Sequence, residues 1–454
     1  MTEGSIEPGS AGAAATGVDR EIAAGADAST QPAAPEAEVP EAAGEAGAAP
    51  AASPHSLKRA LVVALLARAL TFVVAGAAVS ILGTNPASWA LRYPRRAEVF
   101  HGVLGNFLNP WAHWDGVWFI KVAVNGYAGN DGSVAFFPLF PLLLRWVGVA
   151  FNNNLVIAGV FISLACYVGA MVLLYRLVEA EFDQRTAYLS VLYISLFPTA
   201  FFFQAVYSES LFLLLALACF GWSRSGHWKL AGLAGLLATL TRSTGIMLLL
   251  PMAYYYFRDR GYSLRRTDAK AAALLMIPEG LMVWMAYLSL GFHSPLLFAE
   301  VQDQWRRFLA PPNYAVWQGL QGSFRGVIRL IWGPGAPLLW PAPNPGAEVP
   351  LAVANLVACG AVAFAIFLLW KGATRLPVPY TAFALAMVVF PLFFPAHYQP
   401  LMSMPRFVLA AFPLFITLAL LTRDRPRAHA WVTGIFIVGS ILLVAKFAMF
   451  SWVA

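Results

Sequence analysis

Residues 228–257 read WKLAGLAGLLATLTRSTGIMLLLPMAYYYF. The stretch is apolar enough for a bilayer, too long for one crossing, and carries Arg242 near its middle. A membrane-spanning helix needs ~17 to 25 apolar residues. A guanidinium at its centre costs at least ~2.5 to 3.5 kcal/mol on insertion scales unless it is paired. We therefore read two short helices joined at Thr241-Arg242-Ser243-Thr244-Gly245. A second ambiguous stretch, VAFFPLFPLLLRWVGVA at 134–150, carries Pro138, Pro141 and Arg145 and is read as an interfacial or re-entrant segment.

These two readings set the topology. Other spans of crossing length fall at about 57–83, 155–178, 186–203, 207–222, 270–291, 350–370, 377–395, 405–421 and 430–449. Under the positive-inside rule, basic loops mark the cytoplasm. With 228–257 crossing twice, Lys58/Arg59, Arg176/Arg185, Arg224/Lys229, Arg258 to Lys270, Lys371/Arg375 and Arg423/Arg425/Arg427 all lie on that side. A single crossing there would put adjacent clusters on opposite sides, and a full crossing at 134–150 would put the later clusters outside. The expected fold is an all-α polytopic membrane protein of about eleven crossings, amino terminus cytoplasmic and carboxyl terminus outside. Two long external loops remain, about 84–154 and 292–349, and loops of such length usually carry function.

Composition agrees. Of 454 residues, 59% are hydrophobic and 12% charged, with a mean hydropathy of +0.66, against roughly 25% charged in soluble domains. A soluble enzyme is excluded. Residues 1–54 hold nine acids and one base, so this Ala/Pro-rich segment carries −8 and the remaining 400 residues +15. It is expected to be a disordered cytoplasmic tail ahead of one membrane domain at 55–454, because it offers too little apolar surface to offset its ordering entropy. It lacks the basic start of a signal peptide. The basic excess belongs to loops, so no nucleic-acid partner is expected. Cys166, Cys219 and Cys359 sit in apolar runs and suggest neither a disulfide framework nor a metal site; no cofactor is expected.

The informative polar residues lie away from the cytoplasmic loops. Asp115 sits in Trp111-Ala-His-Trp-Asp-Gly-Val-Trp118, in the first external loop. An aromatic belt with a structural Asp would read the same way. Glu209, in Tyr207-Ser208-Glu209-Ser210, begins a crossing, where an acid also complements the helix dipole. Arg242 needs an anion, either a carboxylate or a bound phosphate. Arg406, in Met404-Pro405-Arg406-Phe407, starts a crossing after Pro395-Ala-His397-Tyr398. Glu279 lies mid-span beside Pro278 and is left out of the site. The topology puts Asp115, Glu209, Arg242, His397 and Arg406 on the external side, in one expected cavity of two carboxylates and two guanidiniums. Such a cavity suits a hydroxyl that needs a base and an anion that needs binding.

HWDGVWF at 113–119, AFFPLFPLLLR at 135–145, FPTAFFFQAVYSESLF at 197–212, TRSTG at 241–245 and PRF at 405–407, in that order, resemble the PIG-V type mannosyltransferases. The resemblance extends over most of 57–454. It implies a GT-C class glycosyltransferase that uses a lipid phosphate sugar at the extracytoplasmic or lumenal face, with an acid of the first external loop as base. Asp115 is then the expected catalytic residue, with Glu209 and Asp131 next in rank. His113, Trp114, Tyr207, Glu209, Arg242, His397 and Arg406 are the expected substrate-binding set. The implied partners are a lipid-linked sugar donor, a lipid or glycan acceptor and the membrane. Thr244 stands where the family usually has Asn before the glycine. The Ala, Gly, Pro and Arg bias suggests a high-GC bacterium, a plasma-membrane location and an acceptor other than a GPI precursor. A transporter or flippase of a lipid-linked sugar, or a non-catalytic scaffold of the same fold, is the alternative.

The sidedness is directly testable. In a background without native cysteines, a membrane-impermeant maleimide should label a cysteine in the HWD loop from outside. One in the Arg258 to Lys270 loop should stay unlabelled; labelling of both from one side overturns the topology.

Overall fold

The computed structural model describes residues 54–83, 100–333, 349–397, 399–451 and 453. The expected tail at 1–54, apart from Pro54, and parts of both long loops, 84–99 and 334–348, lie outside the described residues. The described secondary structure is helical, with a single isolated bridge between Arg307 and Ala396. The all-α architecture expected from the sequence is what is seen.

Five helices are long and apolar enough to cross a bilayer: His55–Leu82, Leu155–Glu181, Ala269–Phe292, Val353–Gly372 and Pro426–Ala448. A sixth candidate is the pair Met404–Ala410 and Pro413–Thr422, bent by 77°. Other expected crossings fall on shorter helices: Gln184–Leu196, Glu209–Arg224, Trp228–Thr241, Leu249–Arg258 and Val378–Leu392, of 10 to 16 residues. At 1.5 Å per residue these are roughly 15–24 Å long, short of the ~30 Å hydrocarbon core. The membrane domain is therefore a bundle of whole and interrupted helices.

The interruptions follow the sequence. The 228–257 stretch is broken where expected: one helix ends at Thr241, Arg242 is extended (φ −155°, ψ 141°), and a 3-10 turn at Ser243–Leu248 leads into Leu249–Arg258. Leu139–Ala150 is a 12-residue helix, too short to cross. The expected single span at 405–421 differs. It divides at Ala411-Phe412, because Pro413 opens the second helix with no N–H to continue the first.

Non-helical backbone at membrane depth must be satisfied by protein. At 197–208 the accounting is visible. Arg68 donates Nη2 to the Ser195 carbonyl at 2.6 Å and Nη1 to that of Ala200, while Ser163 and Ser210 donate to Ala205 and Phe203 at 2.7 Å each. The Val206 N–H donates to Trp111 O at 2.8 Å, tying the break to the HWD turn. Nothing in the spacing marks Arg68, a buried cation inside the first span.

One element reverses an expectation. The loop at 292–349 contains the 21-residue helix Pro312–Trp332. Gly322 and Ser323 face Asn355 of the next helix, with Ser323 Oγ donating to Asn355 O at 3.0 Å, while Trp317, Leu320, Phe324, Val327 and Ile331 are exposed. Polar and apolar residues mix along it, so no window reads as a span, although the exposed set repeats at helical spacing.

At one end of the bundle, Arg224 meets Glu181 at 2.9 Å, Arg423 meets Asp183 at 3.0 Å and Arg185 meets Asp424 at 3.6 Å. These pairs gather basic loops grouped from sequence. Glu209 opens the helix that ends at Arg224, so it sits at the opposite end, roughly 22 Å away.

Arg68→Leu removes the side-chain donor shared by the Ser195 and Ala200 carbonyls, a loss of about 1–3 kcal/mol for a buried group left unsatisfied. It should lower the melting temperature in detergent by several degrees, with Arg68→Lys between. An unchanged melting temperature would show that other donors satisfy this break.

Candidate functional site

Three helix breaks meet at that opposite end. The first positions Glu209, 1% exposed, in the opening turn of its helix. The second leaves Arg242 at a helix end. The third places Arg406 in the Met404–Ala410 helix, after Ser403 turns the chain at φ 68°. Arg406 donates Nε and Nη2 to Glu209 Oε1 at 2.9 and 2.6 Å, and Nη1 to Asp115 Oδ2 at 2.6 Å. Arg242 Nη1 reaches the same Glu209 oxygen at 2.7 Å and Ser208 Oγ at 3.5 Å. Two carboxylates and two guanidiniums form one ion network without net charge.

The two arginines differ in what they have left. Arg406 spends all three of its nitrogens on carboxylates and lies over the Phe202 and Tyr207 rings at 4.9 and 4.8 Å. Arg242 spends Nη1, and among the described residues its Nε and Nη2 make no hydrogen bond. Likewise Oδ1 of Asp115 accepts none from the described residues.

The HWD turn is built from the Asn109–Ala112 3-10 turn, with Pro at its start, and the Asp115–Asn125 helix. Between them Trp114 has φ 55° and ψ −117°. Tyr207 Oη donates to the His113 carbonyl and accepts from the Asp115 N–H, both at 3.1 Å. His113 Nδ1 lies 3.3 Å from Phe447 O. Burial brings the His113 imidazole down to about 4 despite that carbonyl, so it is neutral at physiological pH.

A cavity of about 1210 Å³ opens in front of the network. Trp114, Asp115, Arg242 and Arg406 line it. So do Lys121 and Arg307, which sequence reasoning missed. Among the described lining residues four side chains are cationic and Asp115 is the sole carboxylate. Lys121 was legible in principle: Trp114, Trp118, Lys121 and Asn125, spaced 4, 3 and 4, share one helical face, and all four line the cavity. Arg307 carries no such signal. The bridge to Ala396 brings it in, and its guanidinium donates to the Phe394 and Met402 carbonyls at 3.0 and 3.4 Å.

Four residues of the expected substrate-binding set do not line the cavity. Glu209 lies behind it, covered by the two guanidiniums it holds. His113 and Tyr207 are buried in the turn and do not line it. His397 is exposed, its N–H bonded to Arg306 O at 3.0 Å and its ring stacked on Phe308 at 4.2 Å; that anchoring keeps it from the network. Asp131, the third-ranked base, meets Lys121 at 2.7 Å. Burial would raise its carboxyl, but Lys121 and Ser133 hold it below the usual range. Glu279 is exposed on the helix surface. Among the described residues no cluster of metal-ligating side chains occurs.

Residues 58–285 match the mannosyltransferase (PIG-V) family. The chain belongs to that family. The match covers the HWD turn, Glu209 and Arg242, while Arg406 lies beyond it. A similar protein is GPI mannosyltransferase 2 of Drosophila melanogaster, 29% identical over 32% of this chain and 36% of its own length. The Yarrowia lipolytica protein of that name is 24% identical over 56% of this chain and 68% of its own. This chain thus spans about a third of the length of the Drosophila relative. Animal and fungal relatives of this PIG-V family member give no support to the bacterial origin read from composition. An oligosaccharyltransferase of Archaeoglobus fulgidus aligns with 88% of the chain and 53% of its own at 13% identity and a TM-score of 0.41.

Breaking a buried ion pair by removing one partner typically costs about 3–5 kcal/mol. Arg406→Leu should therefore destabilise the family member by that order in detergent unfolding. Arg406→Leu/Glu209→Leu should recover part of the loss; strict additivity would show that the two do not interact.

Proposed function

We propose that this protein is an integral-membrane glycosyltransferase of GT-C type. It moves a hexosyl unit from a polyprenyl phosphate sugar to a hydroxyl of a lipid or glycan acceptor at the extracytoplasmic face. Membership of the mannosyltransferase family and the names of the relatives favour mannose. The observation that carries the reading is the cavity's charge: one carboxylate with an open oxygen among four cations.

Donor chemistry asks for that arrangement. The leaving group departs as a phosphate ester anion, so cations that stabilise developing negative charge assist it. The acceptor hydroxyl is neutral and needs a base within hydrogen-bond reach. Asp115 Oδ1 takes the hydroxyl proton, the acceptor oxygen bonds to the anomeric carbon, and the bond from that carbon to the phosphate oxygen breaks with its electron pair. Displacement in one step inverts the anomeric centre. Arg242, with Nε and Nη2 in reserve, is the better phosphate ligand. Arg406 serves to hold the two carboxylates. Glu209 keeps Arg242 charged and oriented, and because Arg406 holds it too, loss of Arg242 would not strand it.

The test uses purified protein, labelled polyprenyl phosphate mannose and a total lipid extract as acceptor. Asp115→Asn should keep the fold and donor binding but reduce transfer at least ~100-fold, the lower end of general-base contributions. Near wild-type transfer would remove Asp115 from the reaction. No transfer by the wild-type protein with any sugar donor would favour a transporter.

A further inference from the structure

We propose that Tyr207 and Phe450 are positioning residues that hold the His113-Trp114-Asp115 turn in the one backbone conformation that aims the Asp115 carboxylate. The segment 447–450 is then a working part of the site. This rests on the reading of Asp115 as the base.

Trp114 has φ 55° and ψ −117°, a conformation that side chains with a Cβ rarely adopt and that persists only where the surroundings impose it. Phe450, just beyond the last helix, also has positive φ, 63°. Their rings stack at 4.8 Å and 29°. Each strained residue is thus braced by the other. His113 packs edge-on against Phe450 at 4.5 Å, and its Nδ1 meets the Phe447 carbonyl. Residues 447–450 therefore hold two successive side chains of the turn.

Tyr207 closes the turn from the other side. Its hydroxyl bridges the His113 carbonyl and the Asp115 N–H, across Trp114. Asp115 opens a helix, where the first N–H groups have no partner within the helix. One oxygen thus fixes the helix start and the strained peptide together. Tyr207 is 1% exposed and does not line the cavity, so it has no route to a substrate. Phe450 is 7% exposed and is among the residues that line it. The Tyr207 ring also faces Phe119 and Phe447 at 6.4 and 6.3 Å, seating it between the HWD helix and the carboxy-terminal one.

A small displacement of a reacting group can cost on the order of 10²-fold in rate. With labelled polyprenyl phosphate mannose and a total lipid extract, Tyr207→Phe should lower kcat about 10- to 100-fold. The donor KM should stay within about twofold, because ground-state binding is untouched. Phe450→Ala should do the same, and Phe450→Tyr, which keeps the stack, should restore most of kcat. In an Asp115→Asn background neither change should reduce residual transfer further, since both act through that carboxylate. Wild-type kcat in Tyr207→Phe, or an equal proportional loss with and without Asp115, overturns the proposal. Should Phe450→Ala not fold, Tyr207→Phe decides alone, because it deletes a single oxygen. Wild-type transfer by Asp115→Asn would defeat the base reading itself. Loss there with an unchanged Tyr207→Phe would defeat only the positioning.

Discussion

A single carboxylate oxygen, Glu209 Oε1, accepts three charged N–H groups from Arg406 and Arg242 at 2.6 to 2.9 Å. The three residues come from three chain breaks that local propensity alone would not bring together. A charge at this depth is tolerated only when neutralised, and a broken helix only when its orphan groups are buried in protein. Glu209 neutralises the arginines that the second and third breaks expose, and its own helix starts at the first. Arg406 then carries the constraint outward to Asp115. Strain, ion pairing and helix interruption are in this way consequences of one requirement, a polar site inside an apolar bundle.

The sequence made part of this legible. Arg242 stands out because a guanidinium in an apolar stretch has few neutral explanations, and the break around it lies where the charge pattern puts it. Asp115 and Glu209 stand out as acids without a basic loop beside them. Arg68 does not, because its partners are carbonyls of a distant segment and no local spacing encodes them. Lys121 is overshadowed by Asp115 on its own helix, although helical spacing from Trp114 points to it. Arg307 depends on a bridge across 89 residues. The helix Pro312–Trp332 escapes a reading by hydropathy because its apolar residues occupy one face, and periodicity alone reveals it.

His397 illustrates a different limit. The expected topology puts it on the same side as the other site residues, and sharing a side is not sharing a cavity. The expected side follows from the charges of whole loops. Membership in a cavity depends on local contacts such as the hydrogen bond from the His397 N–H to Arg306 O and the stacking of its ring on Phe308. Arguments from charge therefore give an expected face, and the particular contacts decide who lines the cavity.

The division of labour between the two arginines follows from the same economy of donors. Guanidinium offers five N–H groups in a rigid fork. Arg406 commits every nitrogen to two carboxylates, which fixes their positions but leaves little for a ligand. Arg242 commits one nitrogen to Glu209 and lines the cavity, so its charge is compensated while two of its nitrogens carry no hydrogen bond from the described residues. A phosphate arriving there needs no rearrangement of Glu209, because Arg406 continues to hold that carboxylate. In the proposed reading the network would accept and release an anion without breaking the pairs that keep the helices together. A site built from one arginine and one acid would lose its internal pairing at each binding event.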